Sequence, residues 1–252
     1  MEYKKIHSFL LIGQSNMAGR GILSEAKPTD TDGIFVQRNG RWQEMFRPVN
    51  PDRCFSGVNL SESFAEKYVK KHGVGVGLIP CADGGTYLEQ WEKGSLLYDN
   101  AVNCARLAMR TSTLAGILWH QGESDCWEGF RNTYSERLVK FVSDLRSDLG
   151  VGDIPFIAGG LGDFLEDCKW DEHVKHYRLL NQKTKEAVSQ IKNAAYADAS
   201  GLTANDDNLH FSAAALYEFG HRYFDQFEKL GVFVNDDDTP EADTKRTAIE
   251  TL

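Results

Sequence analysis

The chain lacks any apolar run approaching the roughly 18 to 20 residues that a membrane span needs. It also lacks a close-spaced cysteine pair. Its five cysteines, Cys54, Cys81, Cys104, Cys126 and Cys168, are scattered through 252 residues. An odd count without C-x-x-C spacing fits reduced, mostly buried thiols better than a disulfide framework or a zinc site. Basic clusters are missing as well, since Lys4-Lys5 and Lys70-Lys71 are isolated pairs in a chain of net charge -9. That balance disfavours a binder of nucleic-acid phosphates or of anionic membranes. No Gly-Lys-Ser/Thr follows a glycine loop, so no phosphate-cradling loop is encoded. Gly73, Gly75 and Gly77 lie before or within an apolar run, not after it as the dinucleotide fingerprint requires. The apolar stretch behind Lys4-Lys5 is short and leads straight into Ser15, which argues against a cleaved leader and for a cytoplasmic protein.

What is present is a single large α/β pattern. Short apolar runs at about 6–12, 34–37, 74–80, 115–119, 154–158 and 194–197 alternate with helical periods. The helical stretches fall at about 60–72, 98–113, 131–149, 173–192 and 212–230. Such alternation implies crossover units and a mainly parallel sheet covered on both faces. In the last helix Leu216, Phe219, Tyr223, Phe227 and Leu230 share one face, Ser212 is placed to cap its start and Gly231 to close it. One domain is expected over 1–233. Residues about 20–58 read as an insertion, with a hairpin turning at Asn39-Gly40. The polar stretch 234–252 reads as a mobile tail.

Chemistry gathers at the ends of the apolar runs. Gly13-Gln14-Ser15-Asn16 follows the first strand and delivers a serine to the sheet's carboxyl edge, where open α/β sheets bind ligands. Near the far end, Asp207 and His210 are three residues apart, so a carboxylate can fix the imidazole tautomer and leave the other nitrogen to activate a serine. Gly84-Gly85 follows the strand ending at Pro80 and offers backbone N–H groups to a developing oxyanion. Trp119-His120-Gln121-Gly122-Glu123-Ser124-Asp125 follows another strand. There Gln121 offers a side-chain N–H and Glu123 an anchor or an acceptor for a sugar hydroxyl. His120, Glu123 and Asp125 match no metal-ligand spacing, so no metal is expected. Each stretch taken alone also fits an ordinary strand-end turn. Residues 13–17 lack the second glycine of the G-x-S-x-G elbow, which separates this chain from the α/β-hydrolase plan.

Taken in order, Leu11–Gly19, Pro80–Thr86, Trp119–Asp125 and Asp207-x-x-His210 resemble the SGNH (GDSL-type) hydrolase superfamily. The likeness is to its carbohydrate esterase branch of acetylxylan esterases and sialate O-acetylesterases. The resemblance covers about residues 6–230. It implies a flavodoxin-like three-layer α/β/α sandwich that removes acetyl groups from sugars without a cofactor. By that resemblance Ser15 is the nucleophile, His210 the base and Asp207 its orienting acid. The N–H groups of Ser15 and of Gly84 or Gly85 line the oxyanion hole, with Gln121 as third donor in place of the superfamily's Asn. Asp83 departs from the less polar residue expected before the glycine pair. Gln14, Glu123, Trp119 and Tyr87 are expected substrate contacts, and Trp91, Trp127 and Arg20 are further candidates for a sugar-facing wall. Core packing is the other reading for each tryptophan.

Overall fold

The computed structural model describes Tyr3, residues 5–235 and Pro240. Its first half runs β1 (Ile6–Gly13), α1 (Ser15–Ala18), β2 (Ile34–Arg38), β3 (Arg41–Glu44), α2 (Leu60–His72), β4 (Gly75–Pro80) and α3 (Leu96–Ala108). The second half runs β5 (Thr113–His120), α4 (Glu128–Arg131), α5 (Tyr134–Leu149), β6 (Phe156–Gly159), α6 (Tyr177–Gln190), β7 (Ala194–Ala197) and α7 (Ala213–Leu230). The strands form one seven-stranded sheet in the order β3-β2-β4-β1-β5-β6-β7. All pairings are parallel except β2 with β3.

The alternation of side chains along β1 explains the three layers. Phe9 and Leu11 point to the face covered by α2 and α7, where Phe64, Phe219, Tyr223 and Phe227 pack. Ile6, Leu10 and Ile12 point to the face covered by α3, α5 and α6, against Tyr98, Phe141 and Leu180. With both faces buried, the strands have to be nearly continuous apolar runs. Asn59 starts α2 through a capping box with Glu62, and Ser212 caps α7 by accepting from the Ala215 amide.

Two expectations change. The stretch read as an insertion supplies β2, which pairs in parallel with β4, and β3, which forms the sheet's antiparallel edge. It therefore extends the frame, with Asn39 (φ 51°) and Gly40 (φ 74°) making the tight turn. The helical period at 173–192 opens with a 3₁₀ turn over Glu172–His176, and α-helix begins only at Tyr177. Cys81, Cys126 and Cys168 are buried thiols, while Cys54 is exposed. Of the expected tail, residues 236–239 and 241–252 lie outside the described residues. Among the described residues no helix is long and apolar enough to cross a membrane.

Candidate active site

Strand β1 sits centrally and the chain leaves it first to β2 and β4 on one side, then to β5, β6 and β7 on the other. Parallel strands present their carboxyl ends at one edge, so the loops after β1, β4 and β5 converge at this switch point. Backbone hydrogen bonds stitch those ends together. Cys81 N–H donates to Leu11 O at 2.9 Å, Asp83 N–H to Gly13 O at 3.0 Å and Gln14 N–H to His120 O at 2.9 Å. Gly13 adopts φ 130°, and a Cβ there would lie 2.1 Å from the His120 carbonyl oxygen. Only glycine allows the strand to end this close to its neighbour.

Ser15 is the first residue of α1, and its Oγ lies 3.1 Å from His210 Nε2. His210 Nδ1 lies 2.6 Å from Asp207 Oδ2. The other carboxylate oxygen, Asp207 Oδ1, accepts from the Leu209 and His210 amides at 2.9 Å each. Asn208 takes a left-handed φ of 49° to close this turn. Burial pushes the Asp207 carboxyl up, but the His210 imidazole and the two amides outweigh it and hold it at about 2. Being depressed, this group contributes stability above its unfolded value of 3.8, lost as pH falls toward about 2.

Asn16, the residue after Ser15, connects the serine turn to the histidine loop. Its Oδ1 accepts from Phe211 N–H at 3.0 Å, and its Nδ2 donates to Leu209 O and to Glu123 Oε1. The sequence marks Asn16 only as part of a motif. Its bridging role joins positions 107 and 195 residues away.

The structure also redistributes several expected roles. Gln121 is buried, and its Nε2 donates to Gln14 Oε1, Thr86 O and Asp125 Oδ2, while its Oε1 accepts from Tyr134 Oη. With its amide so engaged, Gln121 holds the β5 loop and does not face the cleft, which corrects its reading as an oxyanion donor. Gln14 lines the cleft, but its Oε1 is spent on Gln121, Gly122 and Ser124. Of the glycine pair, the Gly84 N–H donates to Asp52 Oδ2 at 2.9 Å. The Gly85 and Ser15 N–H groups take part in no hydrogen bond among the described residues.

Trp119 is 0% exposed and packs edge to face on Trp91 with ring centroids 5.9 Å apart, so neither forms a sugar-facing wall. Tyr87 packs on Phe130 and does not line the cleft around Ser15. Trp127 is partly exposed and stacks on His173. Arg20 does reach the cleft, held bidentate by Asp52 at 2.9 and 2.7 Å. Asp83 pairs with Arg53 at 2.8 Å. Sequence reasoning missed Asp52, Arg53 and Phe55, because they lie in the segment taken for an insertion.

The cleft at Ser15 and His210 has a volume of about 320 Å³, and Arg20, Arg53, Phe55, Gly85, Glu123 and Asp171 are among its lining residues. A larger hollow of about 630 Å³ around Arg146 has no serine–histidine pair. Among the described residues no group of three or more His, Cys, Asp and Glu is arranged to hold a metal ion.

Asp125, one partner of Gln121, is fully buried, and burial raises its carboxyl to about 6 despite hydrogen bonds from Leu88 and Gln121. A raised carboxyl favours the fold most below its unfolded value of 3.8, and this contribution is lost as pH rises through about 6. Asp125→Asn keeps an acceptor and removes the charge. It should raise stability at pH 8 by about 2–3 kcal/mol, or several degrees in Tm, and change little at pH 4. Thermal unfolding at both pH values checks this, and an equal effect at both would contradict it.

A mainly parallel three-layer sandwich with its site at the switch point places the molecule among SGNH-type esterases. The chain matches the family model described as carbohydrate esterase, sialic acid-specific acetylesterase over residues 5–229, and it belongs to that family. It is 28% identical over 240 residues to a probable carbohydrate esterase of Arabidopsis thaliana, covering 84% of this chain and 86% of that protein. The X-ray structure of the protein from the same Arabidopsis locus is 26% identical, with a TM-score of 0.76 and coverage of 90% and 99%. NanS, 18% identical, shares the fold with a TM-score of 0.68 and coverage of 92% and 99%. A carbohydrate acetylesterase from Xanthomonas citri, also 18% identical, has a TM-score of 0.64 over 90% of this chain and 56% of that one.

Proposed function

We propose that the protein removes O-acetyl groups from carbohydrate through an acetyl-serine intermediate. Ser15 is the nucleophile, His210 the general base and Asp207 the acid that orients it. The observation that carries this reading is the hydrogen-bond chain Ser15–His210–Asp207 opening onto a cleft. The family's description as an acetylesterase supports the acetyl group.

In this mechanism Asp207 Oδ2 fixes the Nδ1–H tautomer, so Nε2 accepts the Ser15 proton as Oγ attacks the ester carbonyl. Negative charge moves to the carbonyl oxygen, where the N–H groups of Ser15 and Gly85 are the free donors. A single well-placed donor is worth about 3–4 kcal/mol at such a step. His210 then returns the proton to the departing sugar oxygen. Water repeats the sequence on the acetyl-enzyme, releasing acetate and restoring Ser15.

Acyl length tests the reading. The protein should hydrolyse p-nitrophenyl acetate with a kcat/KM about 10-fold or more above the butyrate, with octanoate lower still. It should also release acetate from acetylated xylo-oligosaccharide. Equal or better turnover of the octanoate, or no acetate from any acetylated sugar, would sink the proposal. The family description favours an acetylated sialic acid as a second reading of the substrate.

A further inference from the structure

Two thiols stand outside the catalytic machinery but against the loop that serves it. Ile79 and Cys81 share parity at the end of β4, so both point to the face covered by α3. Cys81 is 6% exposed and follows Pro80 directly, opening the loop that presents Gly84 and Gly85. On α3, Cys104 lies three residues after Ala101 and four before Ala108, at the border of the helix's buried stripe. This part of α3 sits over the carboxyl end of the sheet. Gln37 Nε2 donates to Cys104 O at 3.2 Å, and Gln37 follows Val36, which pairs with Leu78 of β4. The Cys81 and Cys104 side chains meet there in a thiol–thiol hydrogen bond.

The two sulfurs are not equivalent. Cys104 is partly exposed and Cys81 is buried. As a thiol Cys104 donates to Asn100 Oδ1 at 3.8 Å, and as a thiolate it accepts from the Cys81 S–H. That donor brings the Cys104 thiol down to about 7, against the opposing effect of burial. The contact with Cys104, and then burial, push the Cys81 thiol up. The sulfur that solvent reaches is thus the nucleophile, and the buried one is placed to resolve it.

We propose that Cys81 and Cys104 close into a reversible disulfide that turns the esterase down. The effect on rate rests on the esterase reading, whereas the bond rests on the thiol pair alone. The oxidant is hydrogen peroxide. The Cys104 thiolate attacks one peroxide oxygen, the O–O bond breaks, hydroxide leaves and Cys104 becomes a sulfenic acid. The Cys81 sulfur then attacks the Cys104 sulfur. An S–S bond forms, the S–O bond breaks, and the oxygen leaves with the Cys81 proton as water. Two electrons pass from the thiols to the peroxide, and a dithiol reductant restores both thiols by exchange.

A disulfide holds its sulfurs about 2 Å apart, closer than hydrogen-bonded thiols approach. Closing it draws Cys81 toward α3. The Cys81 N–H is bonded to Leu11 O and the Asp83 N–H to Gly13 O, and these bonds set the glycine loop against the serine turn. The Gly85 N–H moves with that loop. Misplacing such a donor by about 1 Å costs up to about 10²-fold in rate.

The test uses the full chain carrying Cys54→Ser, which removes the exposed thiol beside the cleft residues Arg53 and Phe55. Peroxide should lower its mass by two hydrogen atoms and yield a Cys81–Cys104 cross-linked peptide. In step with that peptide, kcat for p-nitrophenyl acetate should fall about 10-fold or more and recover with dithiothreitol. Adding Cys104→Ser should leave the reduced rate intact and make it insensitive to the same peroxide dose. Absence of the cross-linked peptide overturns the proposal. So does a cross-linked protein with unchanged kcat, or a peroxide loss that Cys104→Ser suffers equally. The cross-link and its reversal decide the matter even if Cys104→Ser does not fold. A reduced protein inactive on every acetyl ester overturns the esterase reading and the rate effect with it, while the peptide map still tests the bond.

Discussion

Ser15→Ala should lower kcat/KM for acetyl esters by about 10⁵- to 10⁶-fold, the scale on which other serine hydrolases lose activity when the nucleophile is removed. The fold should survive, because the Ser15 side chain makes one hydrogen bond, to His210, and the alanine variant retains the backbone N–H. Alanine also suits the first turn of α1. A circular-dichroism spectrum and Tm close to wild type, together with the rate loss, would separate chemistry from folding. A fluorophosphonate should label wild type at Ser15 and leave the variant unlabelled. A folded Ser15→Ala protein with undiminished esterase activity would remove Ser15 from the mechanism.

The parts legible in the sequence are those fixed by local chemistry. The strand-end glycine, the serine behind it and the Asp-x-x-His spacing are read within a few residues. The structure places them together because β1 is central and the loop before α7 reaches its carboxyl end. Gln121 was not legible in the same way. A polar amide just after a strand looks identical in sequence whether it faces a ligand or its neighbours, and here Thr86, Asp125, Gln14 and Tyr134 claim it.

Trp119 carried an unused signal. It shares parity with Ile117 along β5, and both pack with the α3–α5 face in a strand that is apolar on both sides. The partner of Gly84 could not be read at all. Asp52 sits 32 residues upstream, in a proline-rich stretch whose pattern resembles a surface insertion. β3 returns the chain to the sheet's amino edge, and contacts far apart in sequence, Asn50 with Ala82 and Gly21 with Val58, carry the stretch back to the loops after β4 and β1.

Asp52 should therefore show the largest stability effect among the residues around the cleft. Its side chain and that of Arg20 are each 5% exposed and joined by two hydrogen bonds. Burial pushes the Asp52 carboxyl up, but Arg20, Ser56 and the Gly84 amide together hold it below the ordinary carboxylate range. Asp52→Ala strands the Arg20 guanidinium in the interior with Gly19 O as its remaining acceptor. Leaving such a charge unpaired costs about 3–5 kcal/mol, which for a chain of this size lowers Tm by roughly 6–20 °C. The same substitution frees the Gly84 N–H and loosens the turn that presents Gly85, so kcat should fall by about 10²-fold through misplacement of an oxyanion donor. Removing both charges, as in Asp52→Asn with Arg20→Met, should recover most of the Tm because no buried ion is left behind. It should leave kcat low only if the carboxylate at Asp52 also sets the position of Gly85. Thermal unfolding and kcat for p-nitrophenyl acetate in Asp52→Ala and in the double variant measure these two consequences separately. A Tm loss of less than about 2 °C in Asp52→Ala, below the cost expected of a buried unpaired charge, would mean that Arg20 finds other partners and that the ion pair does not hold the loop.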